Sequence, residues 1–247
     1  MYHSVSASAT SAFQPFITKR AVFEEHMAAL AAAGYNPITI SEYIRFRNSG
    51  LPSKAVVLTF DDAYLDFHTS ALRILNIYGF RSTLYVPTAY VGQTSRWLEP
   101  EGEGARPIMS WNALREVADA GVEIGSHSQS HCELDLVDDM RMRTEVRDSK
   151  KQLEEQLQRP VESFAYPYGY YTKSVRSVVV DSSYTSACAV RDLLSDVSDP
   201  FTISRWTVKN GLDARALIAC LEKRTGFGAQ LRSDSARHIM RTVRRCR

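Results

Sequence analysis

Short apolar runs of strand length alternate with helix-periodic stretches along this chain, and that order admits few folds. Residues 19–34, KRAVFEEHMAALAAAG, carry apolar side chains at helical spacing and stop at Gly34. A short strand is predicted around Pro37–Ile40 and a helix from near Ser41. Ala55–Phe60 is a continuous apolar run, as expected of a strand buried on both faces. Helical spacing returns over Tyr64–Tyr78, ends at Gly79, and gives way to a strand in RSTLYVP, Arg81–Pro87. Helices are predicted over Ser110–Ala120, Asp138–Gln158, Thr172–Val180 and Asp213–Lys223. Strands fall in VEIGSH, SFAYPYG, Tyr184–Val190 and Phe201–Trp206. Such alternation implies a parallel sheet with helical crossovers, class α/β. The number of units in one chain of 247 residues favours a closed barrel over an open sheet. Because MYHSV reads as the end of a strand, the first strand is expected to be cut short.

Composition narrows the class without naming a reaction. With 44% hydrophobic and 23% charged residues the chain reads as globular, and its net charge of +2 gives no sign of nucleic-acid binding. The last sixteen residues, RSDSARHIMRTVRRCR, set six arginines against Asp234. This divides the chain into an expected barrel domain, 1–227, and a basic tail, 228–247. The tail is either a solvated end or a weakly amphipathic helix making peripheral contact with an anionic membrane. Cys132, Cys188, Cys220 and Cys246 form no CxxC pair, which argues against a disulfide framework or a cysteine metal site. No signal peptide or membrane-spanning run is visible, so the expected location is cytoplasmic, with membrane association through the tail as an addition.

Three polar clusters each follow an apolar strand: Asp61-Asp62, Ser126–His131 in SHSQSH, and Ala165–Gly169 in AYPYG. In a parallel barrel, strand C-termini gather on one rim. Adjacent carboxylates repel and resist desolvation, so Asp61 and Asp62 need positive charge nearby. A helix N-terminus, a basic side chain or a metal ion would serve, and an aspartate after a strand is also a common helix cap. His127 and His131 stand four apart and can grip one cation from a single turn, although such a pair alone is often only a polar loop. Taken in order at successive strand ends, the clusters favour one carboxylate and two imidazoles around a divalent metal. The other carboxylate is then left to act on water.

TFDDAY, HSQSH and FAYPYG resemble the first three motifs of the polysaccharide deacetylase family (NodB-homology domain, carbohydrate esterase family 4), and the similarity runs from Met1 to about Thr225. The resemblance implies a distorted (β/α)7-type barrel that removes N-acetyl groups from amino sugars with a divalent metal. Zinc is the usual ion, with Co2+, Mn2+ or Ni2+ as substitutes. It makes Asp61 the catalytic base and gives the metal to Asp62, His127 and His131. The backbone N–H of Tyr168 becomes an oxyanion donor, in a loop shaped by Pro167 and Gly169.

The sequence departs from that family pattern in three places. Ala63 replaces a glycine after the aspartate pair, Ala165 stands where an arginine pairs with the catalytic aspartate, and the late histidine motif is missing. Arg205 in ISRWTV is the candidate for the missing cation, and His3 for the proton donor. Trp97, in the long loop 88–109, is the candidate for stacking on a sugar ring. The expected substrate is a carbohydrate carrying N-acetylated amino sugars, polymeric or lipid-linked. Two rivals stay open: a hydrolase of formyl or other small amides on the same fold, and a non-catalytic glycan-binding module.

Overall fold

The computed structural model describes residues 1–190 and 199–223; the basic tail and the expected boundary at 227 lie outside the described residues. Helices α1 (Arg20–Ala32) and α2 (Ile40–Phe46) flank strand β1 (Asn36–Ile38). The chain continues through β2 (Ala55–Val57), β3 (Thr59–Phe60), α3 (Leu72–Ile77), β4 (Thr83–Val86), α4 (Trp111–Asp119) and β5 (Glu123–Ser126). Helix α5 (Asp139–Leu157), β6 (Ser163–Ala165), α6 (Lys173–Asp181), β7 (Ser186–Val190), β8 (Ile203–Arg205) and α7 (Ala214–Lys223) follow. Helix starts match their sequence signals. Thr39 and Glu42 form a reciprocal capping box on α2, and Ser110, Asp138 and Thr172 cap α4, α5 and α6 through their side chains.

Strands β3 to β8 form one parallel sheet in sequence order, curled so that their C-terminal ends share a rim. The first residues bridge its two edges. Tyr2 N donates to Thr59 O at 2.8 Å and Asp61 N to Tyr2 O at 3.1 Å. On the other side Met1 N donates to Trp206 O at 2.8 Å, and Val208 N to Met1 O at 2.9 Å. Two residues therefore do the work of a strand between β8 and β3. Tyr2 is anchored by stacking on Phe60 and by a hydrogen bond between its hydroxyl and His26 Nδ1 on α1.

Two elements differ from the sequence expectation. The apolar run Ala55–Phe60 changes partners part-way: β2 pairs with β1 in a separate two-stranded sheet, while β3 pairs with β4. Periodicity reports burial and not pairing, so the split leaves no mark in the sequence. The stretch predicted as a helix over Tyr64–Tyr78 begins with a π-helical turn, Phe67–Ala71, before α3. Such turns are frequent beside functional sites.

Inside the curl, Tyr85, Ala165, Cys188, Ile203 and Ile40 form one buried cluster, and the main core lies between sheet and helices. Packing there leaves no room at Gly125 on β5, where a Cβ would stand 2.4 Å from the Tyr85 ring and 2.7 Å from Ser163 Oγ. A methyl group must push a ring that is wedged in a close-packed interior. Gly125→Ala is expected to cost about 1–3 kcal/mol, read as a lowered urea midpoint at unchanged slope.

Candidate active site

The parallel sheet delivers the polar clusters to one place. Asp61 and Asp62 follow β3, His127 follows β5, Tyr166-Pro167-Tyr168 follow β6, and Arg205 ends β8. Asp61, Asp62, His127, His131 and Arg205 are all buried. The turns that aim them are tight: Asp62 (φ 77), Ala63 (φ 54), Ser128 (φ 62), His131 (φ 55) and Tyr168 (φ 58) are in the left-handed region without being glycine. Each such residue costs on the order of 1–3 kcal/mol and persists only where the surroundings hold it.

One ligand atom each from Asp62, His127 and His131 lies within 4.8 Å of the other two; this is the cluster of metal-ligating type found among the described residues. Asp62 Oδ1 lies 3.2 Å from His131 Nε2 and 3.6 Å from His127 Nε2, yet is buried without a hydrogen bond of good geometry. His127 Nδ1 donates to Ala165 O at 2.7 Å, which fixes the tautomer and leaves Nε2 with a lone pair. Burial pushes the His127 pKa down to about 4, against the pull of Asp61, so the ring is neutral at pH 7. Its Nε2 then faces the carboxylate oxygens of Asp62 and, at 3.7 Å, Asp61, acceptor against acceptor. A divalent cation resolves that repulsion, and one oxygen with two nitrogens is a donor set suited to zinc and its neighbours. The residues fit a metal.

Asp61 is held differently. Arg205 grips it with both arms, Nη1 to Oδ1 at 2.6 Å and Nη2 to Oδ2 at 2.8 Å. The same guanidinium lies over the Tyr85 ring, 5.2 Å from its centroid. Burial opposes ionisation of Asp61, but the charge of Arg205 and the hydrogen bonds it donates outweigh it and hold the carboxyl below the usual carboxylate range. Asp61 therefore stays ionised beside the donor cluster.

The remaining expected residues lie around this centre. His3 directly follows the bridging Met1–Tyr2; burial lowers its pKa while Asp62 and Asp61 raise it, and its Nδ1 is buried without a partner. Pro167 is buried, and Tyr168 is 43% exposed with its ring edge-on to His131 at 4.7 Å. Trp97 packs on His131 with ring centroids 5.0 Å apart and also meets Tyr90 at 4.8 Å. Cys132 stands outside the donor cluster, its thiol pushed up to about 11 by burial and by Glu145.

Sequence reasoning did not find two supporting groups. Ser128 Oγ accepts from His131 N at 3.1 Å, and Glu145 of α5 is buried against the histidine turn. The signal for Glu145 is its place on the inward stripe of α5 with Met142, Val146 and Leu153. An acid on an apolar stripe needs donors.

A cavity of about 510 Å3 has Arg205 in its wall and is otherwise lined mainly by apolar residues of β1, β2, β8, α1 and α7.

The Arg205 clamp carries a measurable consequence. The folded pKa of Asp61 lies below its unfolded value near 3.9, so its contribution to stability is complete above about pH 4 and is lost as the pH falls through the folded value. In the metal-free protein, Arg205→Met is expected to lose about 3–5 kcal/mol at pH 7 by leaving a buried charge unpaired. The deficit should shrink toward pH 4, where Asp61 of the variant takes up a proton; urea denaturation at both pH values checks this.

Comparison with known proteins follows the same lines. Residues 48–187 match the family model described as polysaccharide deacetylase. The chain is similar to YxkH of Bacillus subtilis (strain 168), a candidate polysaccharide deacetylase by name, at 27% identity over 225 residues, 90% of this chain and 75% of that one. It is 31% identical to the poly-beta-1,6-N-acetyl-D-glucosamine N-deacetylase of Escherichia coli (strain K12) over 134 residues, 51% of this chain but 20% of that protein. The structure of Streptococcus pyogenes deacetylase PplD in complex with acetate shares the fold, with a TM-score of 0.77 at 23% identity over 89% of this chain and 95% of that one.

Proposed function

Since the chain belongs to the polysaccharide deacetylase family, we propose that it is a divalent-metal-dependent hydrolase removing the acetyl group from an N-acetylated amino sugar of a polysaccharide or lipid-linked glycan. The observation that carries this reading is the division of labour between neighbouring acids. Asp62 belongs to a three-donor cluster, while Asp61 is excluded from it and kept ionised by Arg205. A module that only binds glycan has no need of a buried, clamped base, so the arrangement favours the enzyme over the binding rival.

Asp62, His127 and His131 would hold the metal. When bound, it supplies Lewis acidity, polarising the acetamide carbonyl and easing deprotonation of water. Asp61 takes the proton from the water whose oxygen attacks the carbonyl carbon. Arg205 holds the carboxylate in place and stabilises its charge until that proton arrives. The Tyr168 N–H donates to the carbonyl oxygen as negative charge collects there. The proton held by Asp61 passes by way of His3 to the departing nitrogen, the C–N bond breaks, and acetate and a free amine leave with both side chains restored. The E. coli relative supports a polymer of N-acetylglucosamine as the first substrate to try.

Acetate release from N-acetylated chito-oligomers and from poly-β-1,6-N-acetylglucosamine, with and without a chelator, tests the reading. Chelator-sensitive release is expected, and Asp61→Asn should lower kcat by at least about 100-fold while the protein keeps its metal. Release of formate from an N-formyl sugar in place of acetate would move the assignment to the small-amide rival. No chelator-sensitive release from any of them rejects the hydrolase.

For His3→Ala the expected result is a fall in kcat of about 10- to 100-fold, with recovery when the leaving group is a better one than an alkylamine. An unchanged rate with the metal retained removes His3 from the mechanism.

A further inference from the structure

The histidine turn is not self-supporting. From His127 to His131 the chain turns with Ser128 and His131 both left-handed, and the N–H groups of Gln129 and Ser130 meet α5. Glu145, 5% exposed on α5, accepts both: Gln129 N at 2.9 Å and Ser130 N at 2.8 Å, on the same oxygen Oε2. Its other oxygen accepts the Ser130 hydroxyl. On the opposite side the carbonyls of Ser128 and Gln129 accept from Thr88 N at 3.2 Å and Ala89 N at 3.0 Å. The turn is thus clamped between α5 and the segment after β4. Nothing in the proposed chemistry uses Glu145. Among the described residues the cation paired with it is Arg141 at 3.9 Å, with a side chain 55% exposed, so the three donors of the turn are the main compensation for a buried carboxylate.

We infer that Glu145 is the positioning residue of the metal centre: its carboxylate locks the turn that sets the spacing of the His127 and His131 imidazoles, and so preorganises the pair for a cation before one binds. This rests on the metal reading of the preceding subsection. The two oxygens divide the work by geometry. Glutamine keeps the oxygen that receives two N–H groups and turns its NH2 toward the Ser130 hydroxyl, which can accept as well as donate. Aspartate keeps the charge but is one methylene shorter, and so gives up the reach to the turn.

The test is Zn(II) affinity of the full chain, by competition with a chromophoric chelator, alongside amide hydrogen exchange and urea stability of the metal-free protein. Glu145→Ala should bind Zn(II) roughly 10- to 100-fold more weakly. Its exchange should quicken at Gln129 and Ser130 beyond any change in global stability. Glu145→Gln should remain within about fivefold of wild type, restoring both readouts. Glu145→Asp should follow alanine, and it decides the matter if the alanine variant does not fold.

A folded Glu145→Ala that holds Zn(II) within about twofold of wild type, with unchanged exchange at Gln129 and Ser130, overturns the inference. So does a glutamine variant as weak as alanine, because charge rather than geometry would then be responsible. Asp62→Ala is the control for the parent reading. If it binds Zn(II) as wild type does, the metal assignment fails, and the exchange at Gln129 and Ser130 alone decides the role of Glu145.

Discussion

Two carboxylates at the end of one buried strand are the constraint around which the rim is arranged. Neither can be desolvated while charged unless opposite charge is supplied, and the two are supplied by different means. Asp61 receives the guanidinium of Arg205 from the far side of the curl, 144 residues away in sequence. Asp62 receives two imidazoles, one of which presents a lone pair instead of a proton. The first acid is compensated by a guanidinium and the second by imidazoles, to which the proposed function adds a cation. The proposed division into base and ligand rests on that asymmetry, although the residues are adjacent and chemically alike.

The origin of the guanidinium follows from the topology. Ala165 ends β6 and Arg205 ends β8, so both stand on the same rim with β7 between them. A long side chain starting from β8 reaches Asp61 with its guanidinium over the Tyr85 ring. With only a methyl group at Ala165, the end of β6 offers its backbone carbonyl to His127. The closing residues Met1 and Tyr2 take part as well, since the Tyr2 carbonyl accepts the N–H of Asp61 itself. The backbone of Asp61 is therefore held by the seam of the curled sheet.

Much of this was legible in the sequence, and the limits have physical causes. Strand and helix order followed from period and from glycine stops, and the strand-end clusters were visible because polar residues there interrupt apolar runs. The family resemblance made Arg205 a candidate through what Ala165 lacks; the sequence alone carries no sign of a partner 144 residues distant. The division of Ala55–Phe60 between two sheets was hidden, because both halves are apolar for the same reason, contact with a core. Glu145 was hidden among the many charges of α5, where an acid is ordinary unless its face is known. The left-handed turns were hidden because alanine, serine and tyrosine seldom adopt that conformation, and local preference argues against them.

Those turns show where local preference yields to the whole. Five left-handed residues that are not glycine lie within three rim loops, a local cost of several kcal/mol in all. Each loop has a contact beyond itself. Met109 N donates to Ala63 O in the first, Glu145 takes the amides of the second, and the third packs Gly169 so tightly against Val190 that an added Cβ would come within 2.6 Å of its backbone nitrogen. The contacts come from the long loop 88–109, from α5 and from β7, three separate parts of the chain. The strained geometry at the rim is therefore held by the surrounding fold, which makes the site a product of tertiary packing and not of the motifs that announce it.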